Sequence, residues 1–107
     1  MIKDKKVIMM IAGDTAISYK KTKPAASVDE ILNHVMKTII SKKDIKIFGI
    51  AAATYALNYL NNNPNSTERK VMQSLVNESN HIIASIEEQD NNTEVLSDIE
   101  IKNEAYE

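Results

Sequence analysis

The side chains best suited to chemistry in this 107-residue chain are its two histidines, because each follows a glutamate at helical spacing. Glu30 precedes His34 by four residues, so the two side chains would share a helix face and could offer two metal ligands. Glu78 and His81 have the Glu-x-x-His spacing of di-iron bundles, but those sites need a second such motif and two more glutamates. The sequence has no second motif. We therefore predict no metal site, and we interpret Glu30 and His34 as a solvated pair.

Nucleophilic and cofactor chemistry are not indicated by the remaining residue types. The chain has no Cys, which excludes thiol nucleophiles, thiolate metal sites and disulfides. Its two glycines, Gly13 and Gly49, stand far apart, whereas a phosphate-binding loop needs clustered glycines. No His–acid pair lies near a serine or threonine at a spacing that would activate it, although a triad assembled across helices stays an open alternative. We expect no catalytic residue, no cofactor and no enzyme activity.

The charges divide the chain into a basic first half and an acidic second half. Residues 1–46 hold ten Lys and five acids, a net charge of +5, and residues 47–107 hold three basic residues and ten acids, a net charge of −7. Only one basic residue is an arginine, the side chain that reads bases in a bidentate manner. Non-specific contacts to a nucleic-acid backbone are the alternative function, and solvated lysines are the favoured interpretation. The lysines that could gather at loop ends and contact phosphates are Lys20, Lys21, Lys23, Lys42, Lys43 and Lys46.

The helices that must position these residues begin with a clear amphipathic pattern over 28–40. Its apolar residues recur at alternating spacings of three and one, which is typical of one helix face. Ser27 is placed to cap the helix, and Glu30 three residues later completes a capping box. The apolar face consists of Val28, Ile31, Leu32, Val35, Met36, Ile39 and Ile40.

A second helix is predicted from Asp44 to the asparagines at 61–63, with Ser41 or Asp44 as its cap. It is apolar around most of its circumference, so it is either central in the fold or shared with a partner. One of its faces is a small-residue stripe that lets another backbone approach closely, formed by Gly49, Ala52, Ala53 and Ala56.

A third helix is predicted over 66–89, capped by Asn65, with its apolar residues spaced as a heptad seam. The N-terminal segment is ambiguous. A helix from Asp4 to Tyr19 would contain Gly13, which costs about 1 kcal/mol relative to Ala inside a helix. A buried strand over 6–12, paired with 99–101, is the alternative, and we favour the helix.

The segment from Asp90 onward is polar and acidic, with six acids and a single lysine. We predict that it is a disordered tail that can dock through its few apolar residues. The longest apolar stretch, 45–60, is interrupted by polar residues and is shorter than the roughly 20 residues of a membrane span. We therefore expect a cytoplasmic protein that does not enter a membrane.

Together these patterns predict an all-α fold, a small antiparallel bundle of three to four helices over 1–89 with an acidic tail over 90–107. Its long helices carry more apolar surface than a domain of this size is expected to cover. We therefore expect a non-enzymatic interaction module, an adaptor or regulatory protein that forms a homodimer or another homo-oligomer or binds an unidentified protein. The predicted interface comprises Phe48, Gly49, Ala52, Ala53, Tyr55, Ala56, Tyr59, Met72, Leu75, Ser79, Ile82 and Ile86.

Overall fold

Four α-helices make up the computed structural model of the chain, which describes the backbone of residues 4–39 and 41–106 and the side chains as far as residue 88. No strand occurs in this described part, so the all-α prediction is confirmed and the alternative of a strand over 6–12 is wrong. The helices are α1 (Lys5–Thr22), α2 (Val28–Thr38), α3 (Lys43–Asn62) and α4 (Glu68–Tyr106).

The predicted capping residue is the observed one at two of the four helix starts. The Asp4 carboxylate accepts from the backbone N–H of Lys6 at 2.9 Å, and Ser27 Oγ accepts from the N–H of Glu30 at 3.1 Å, as predicted. Helix α3 has no side-chain cap. Helix α4 is capped by Thr67 and not by Asn65, because residues 64–65 form a turn that delays the helix.

Consecutive helices are antiparallel, so α1 and α3 run in the same direction. Tyr19 near the end of α1 bonds to Glu30 near the start of α2, and Lys46 near the start of α3 bonds to the Met36 carbonyl near the end of α2. Lys5 Nζ at the start of α1 lies 2.9 Å from Glu87 Oε1, about five turns along α4 from its start. Helices α1 and α3 pack closely together, and α2 and α4 flank them on opposite sides, making no contact with each other among the described residues.

The small-residue stripe of α3 explains how α1 and α3 can lie so close. Ala52, Ala53 and Ala56 are fully buried. A Cβ atom at Gly49 would lie 2.7 Å from Ile39 Cδ1 and 3.0 Å from Ile8 Cγ2, so only glycine fits there without a shift of its neighbours. The backbone that approaches the stripe is therefore α1 of the same chain.

Gly13 in the middle of α1 has a similar packing role toward α4. A Cβ atom there would lie 2.5 Å from Leu75 Cδ2 and 3.5 Å from Met72 Sδ. Leu75 is fully buried, as is Val71 one turn earlier on α4. The helix propensity lost at Gly13, about 1 kcal/mol relative to Ala, is offset by the close packing of α4 on α1.

Helix α4 continues past residue 89, where the sequence analysis ends the bundle, and is helical to Tyr106. The side chains from Gln89 onward lie outside the described part of the chain, as do Met1–Lys3, Ile40 and Glu107. The predicted disorder of residues 90–107 and the boundary at 89 therefore stay predictions. Within the described residues, no helix has both the length and the apolar content that crossing a bilayer requires.

Candidate binding site at the loop end of the bundle

The residues predicted to form an interface lie mostly inside the chain's own core. The heptad seam of α4 packs onto α1 and α3, and the stripe of α3 packs onto α1, so these faces are already covered. Ser79 in the seam satisfies its hydroxyl by donating to the Val76 carbonyl at 2.8 Å. The buried members are Phe48, Gly49, Ala52, Ala53, Ala56, Leu75 and Ser79. The half-buried members, for which self-association stays a prediction, are Tyr55, Tyr59, Met72, Ile82 and Ile86.

The two lysine groups expected to gather at loop ends lie at opposite ends of the bundle. Lys20, Lys21 and Lys23 end α1, whereas Lys42, Lys43 and Lys46 stand at the start of α3. Because α1 and α3 are parallel, the groups are separated by about the length of α3, roughly 30 Å at 1.5 Å per residue. The structure therefore does not bring these six lysines into one phosphate-binding patch. We call the end that holds loops 23–27 and 63–67 the loop end.

A cavity of about 570 Å³ opens at the loop end, between the end of α1, the start of α2 and the end of α3. This volume falls within the range of roughly 300–1,000 Å³ that is typical of ligand clefts. Its polar lining consists of Lys20, Lys21, Asn58 and Asn61, and its apolar lining consists of Pro24, Val28, Ile31, Leu57, Leu60 and Pro64. We call this cavity the loop-end pocket.

The two loops that frame the pocket are built alike, which the sequence analysis missed. The first has a 3.0 Å hydrogen bond from the N–H of Ala26 to the Lys23 carbonyl, and the second has the same bond from Ser66 to Asn63. Each of these turns has one of the chain's two prolines at its second position, where the ring fixes φ as the turn requires. Three residues after each proline stands the Ser or Thr that caps the next helix. The pocket is thus framed by two constrained loops.

Lys20 is held at the pocket by the loop backbone. Its Nζ donates to the Pro24 carbonyl at 2.7 Å and to the Ala26 carbonyl at 3.3 Å. An ammonium group has three donors, so one N–H remains for another acceptor. The pocket lining also includes apolar surface in contact with water, because Val28 is 51% exposed.

Lys21 acts electrostatically on Glu68 of α4, which is paired with Asp14 of α1. A hydrogen bond with Asp14, partial burial and the charge of Asp14 raise the pKa of Glu68 above its usual value of 4.5, and the charge of Lys21 acts in the opposite direction. The charge of Glu68 therefore offsets part of the attraction of Lys21 for an anion. Lys20 is therefore the better placed anion-binding group of the pocket.

Glu30 and His34 both contact Tyr19, and the three side chains form a polar cluster. The Tyr19 hydroxyl donates to Glu30 Oε2 at 2.5 Å, and the Tyr19 and His34 ring centroids lie 4.7 Å apart. The bond to Glu30 raises the pKa of Tyr19, with smaller contributions from burial and from the charge of Glu30, while Lys23 lowers it. Glu30 thus accepts a hydrogen bond from Tyr19. In the described part of the chain, no group of three His, Asp or Glu side chains is arranged to hold a metal ion.

The second histidine motif does not join this cluster. Glu78 and His81 are exposed on α4.

Comparisons of the chain with protein-family models, curated proteins and solved structures give no match. The interpretation of the loop-end pocket therefore rests on its geometry alone.

Proposed function

We propose that the protein is a non-enzymatic interaction module, an adaptor that binds a partner at the loop-end pocket. The observation that carries the proposal is a cavity whose lining is largely apolar and includes a lysine whose ammonium group is already positioned by two carbonyls. Such a site favours a partner segment with an apolar side chain and a carboxylate close together, because one end of the segment would be desolvated and the other would meet Lys20.

The chemistry of the pocket lining supports binding over catalysis. General acid–base and nucleophilic catalysis need His, carboxyl, hydroxyl, thiol or lysine amine groups within hydrogen-bond reach of the reacting atoms. Among the described residues, the lining has lysines and asparagines as its only polar side chains. Lys20 already donates to two loop carbonyls, and asparagines can orient a partner but do not transfer protons, so this lining favours binding.

The separation of the lysine groups makes the nucleic-acid alternative less favourable. Backbone binding is strong when several cations neutralise neighbouring phosphates together. Here the lysines are divided between two ends of the bundle. A protein partner is therefore the proposed one, in the cytoplasm expected from the sequence.

The proposal can be tested with anilinonaphthalene sulfonate, a fluorescent probe that combines an aromatic body with an anionic group. The probe should bind the wild-type chain saturably, with enhanced fluorescence. Val28→Asp should weaken binding about tenfold, which corresponds to about 1.4 kcal/mol, because it removes apolar wall and adds a negative charge. An acid in the first turn of α2 suits the helix dipole, so this variant should stay folded.

Val76→Asp is the matched control for that titration. Val76 is 53% exposed, close to the 51% of Val28, but it lies on α4 and does not line the pocket. Its variant should bind the probe as the wild type does. No saturable binding, or equal weakening in both variants, would contradict the proposed site.

A further inference from the structure

We infer that the partner at the loop-end pocket is the acidic C-terminal segment, residues 90–107, of a second copy of this chain. The inference rests on the proposed function and names the occupant of the same site. The charge, the apolar residues and the direction of the segment each point to it.

The charge of the segment is complementary to that of the loop end. Residues 90–107 hold six acids and one lysine, a net charge of −5. The loop end holds the lysines of the pocket together with Arg69 and Lys70, the latter lining a smaller cleft that shares Pro64 with the pocket. The acids at this end are Asp29, Glu30 and Glu68, and Asp14 lies beside Glu68, so the basic residues outnumber the acids by five to four. The basic residues are Lys20, Lys21, Lys23, Arg69 and Lys70.

The apolar residues of the segment suit the apolar wall. Val95, Ile99 and Tyr106 are four and seven residues apart, so on a helix they share one face. Of the six apolar residues that line the pocket, Ile31 and Leu57 are buried, and the other four offer such a face a surface to cover. A segment that is acidic around an apolar face therefore matches a pocket that is apolar with a lysine at its rim.

The direction of α4 requires that the pocket belong to another copy. The helix begins at the loop end, passes the opposite end near Glu87, and stays helical to Tyr106. The segment thus travels away from the pocket of its own chain by about 1.5 Å per residue. A second copy can present its loop end to the segment without any break in α4.

The competing surface for the segment is the opposite end of the bundle. Lys6, Lys37, Lys42 and Lys43 are exposed there, close to where the segment begins. The large apolar side chains exposed near that end, Val7, Met36 and Ile47, lie on three different helices. This end can attract the segment by charge, but it offers scattered apolar residues in place of a pocket.

The test uses the full chain and a labelled peptide with the sequence of residues 90–107, followed by fluorescence anisotropy at low salt. The peptide should bind saturably. Val28→Asp should weaken its affinity about tenfold, while Val76→Asp and the double variant Lys42→Gln, Lys43→Gln should leave it unchanged. Light scattering of the full chain should give masses above 12.0 kDa that rise with concentration and fall when excess peptide is added.

Three results would overturn the inference: no binding of the peptide, binding weakened by the Lys42 and Lys43 substitutions and not by Val28→Asp, or a mass of 12.0 kDa at all concentrations. The fluorescent probe separates this failure from that of the proposed function. A chain that binds the probe and not the peptide has the pocket with a different occupant. A chain that binds neither has no functional pocket at this end.

Discussion

Replacement of Ala53 by Leu tests the close packing of α1 and α3 on which the whole bundle depends. Ala53 is fully buried in a cluster with residues of α1 and α2. One turn earlier, a Cβ atom at Gly49 would lie only 2.7 Å from Ile39 Cδ1. The three carbons that Leu adds at Ala53 therefore have no free volume to occupy, and α1 or α2 must move.

The magnitude of the effect follows from packing, because Ala and Leu have nearly equal helix propensities. Overpacking of a filled core costs about 1–3 kcal/mol. For a domain of this size each kcal/mol lowers the thermal midpoint by about 4–8 °C. Circular dichroism should therefore show a clearly lower midpoint for Ala53→Leu, both in thermal denaturation and in urea denaturation.

A matched substitution at an exposed alanine is the control for this experiment. Ala84 is exposed on α4, so Ala84→Leu should change the free energy of unfolding by no more than about 0.5 kcal/mol. An Ala53→Leu variant as stable as the wild type would refute the close parallel packing of α1 and α3.

Three further predictions concern single sites. Gly13→Ala should lower the free energy of unfolding by up to about 2 kcal/mol in urea denaturation, because the overpacking against Leu75 exceeds the gain in helix propensity of about 1 kcal/mol; a gain in stability would contradict the packing of α4 on α1. Glu68→Gln should stabilise the protein near neutral pH. The raised pKa means that the folded state binds more protons than the unfolded state above about pH 4.5, so the wild type loses stability as pH rises through that pKa. Denaturation across this pH range should show a flatter profile for the variant, and parallel profiles would contradict the Asp14–Glu68 interaction. Ending the chain at Gln89 should leave the thermal midpoint unchanged and reduce self-association, whereas a large loss of melting temperature would show that residues 90–107 are needed for folding.

Local sequence patterns predicted the positions of the four helices but not the continuation of α4 beyond residue 89. The amphipathic spacing after Ser27 predicted α2 to within two residues of its end, because a cap and a periodic face act within the segment itself. Helix α4 shows where local reasoning fails. Asn65 was the expected cap, but Pro64 and Asn65 are used in a turn, so Thr67 caps the helix two residues later.

The assignment of the apolar faces could not be made from the sequence. A stripe such as Gly49 to Ala56 indicates that another helix lies close, and it does not indicate whether that helix belongs to the same chain. The missing information was that α1 packs directly on this stripe, which directs it inward. The separation of the lysines of residues 20–23 from those of 42–46 follows from the antiparallel order of consecutive helices.

The loop-end pocket was missed because its lining comes from four segments that are distant in the sequence. One observation could have pointed to it: each proline is followed three residues later by a helix-capping Ser or Thr. That shared pattern predicts two similar turns. Only an antiparallel arrangement of consecutive helices brings the two turns to the same end of the bundle.

The central claim, that the loop-end pocket is the binding site, is tested most directly by mapping amide chemical shifts of the labelled full chain during titration with anilinonaphthalene sulfonate. The largest shifts should fall at residues 20–31 and 57–64, which line or frame the pocket. Shifts centred on the start of α3, shifts spread along α4, or no saturable shifts at all would contradict it.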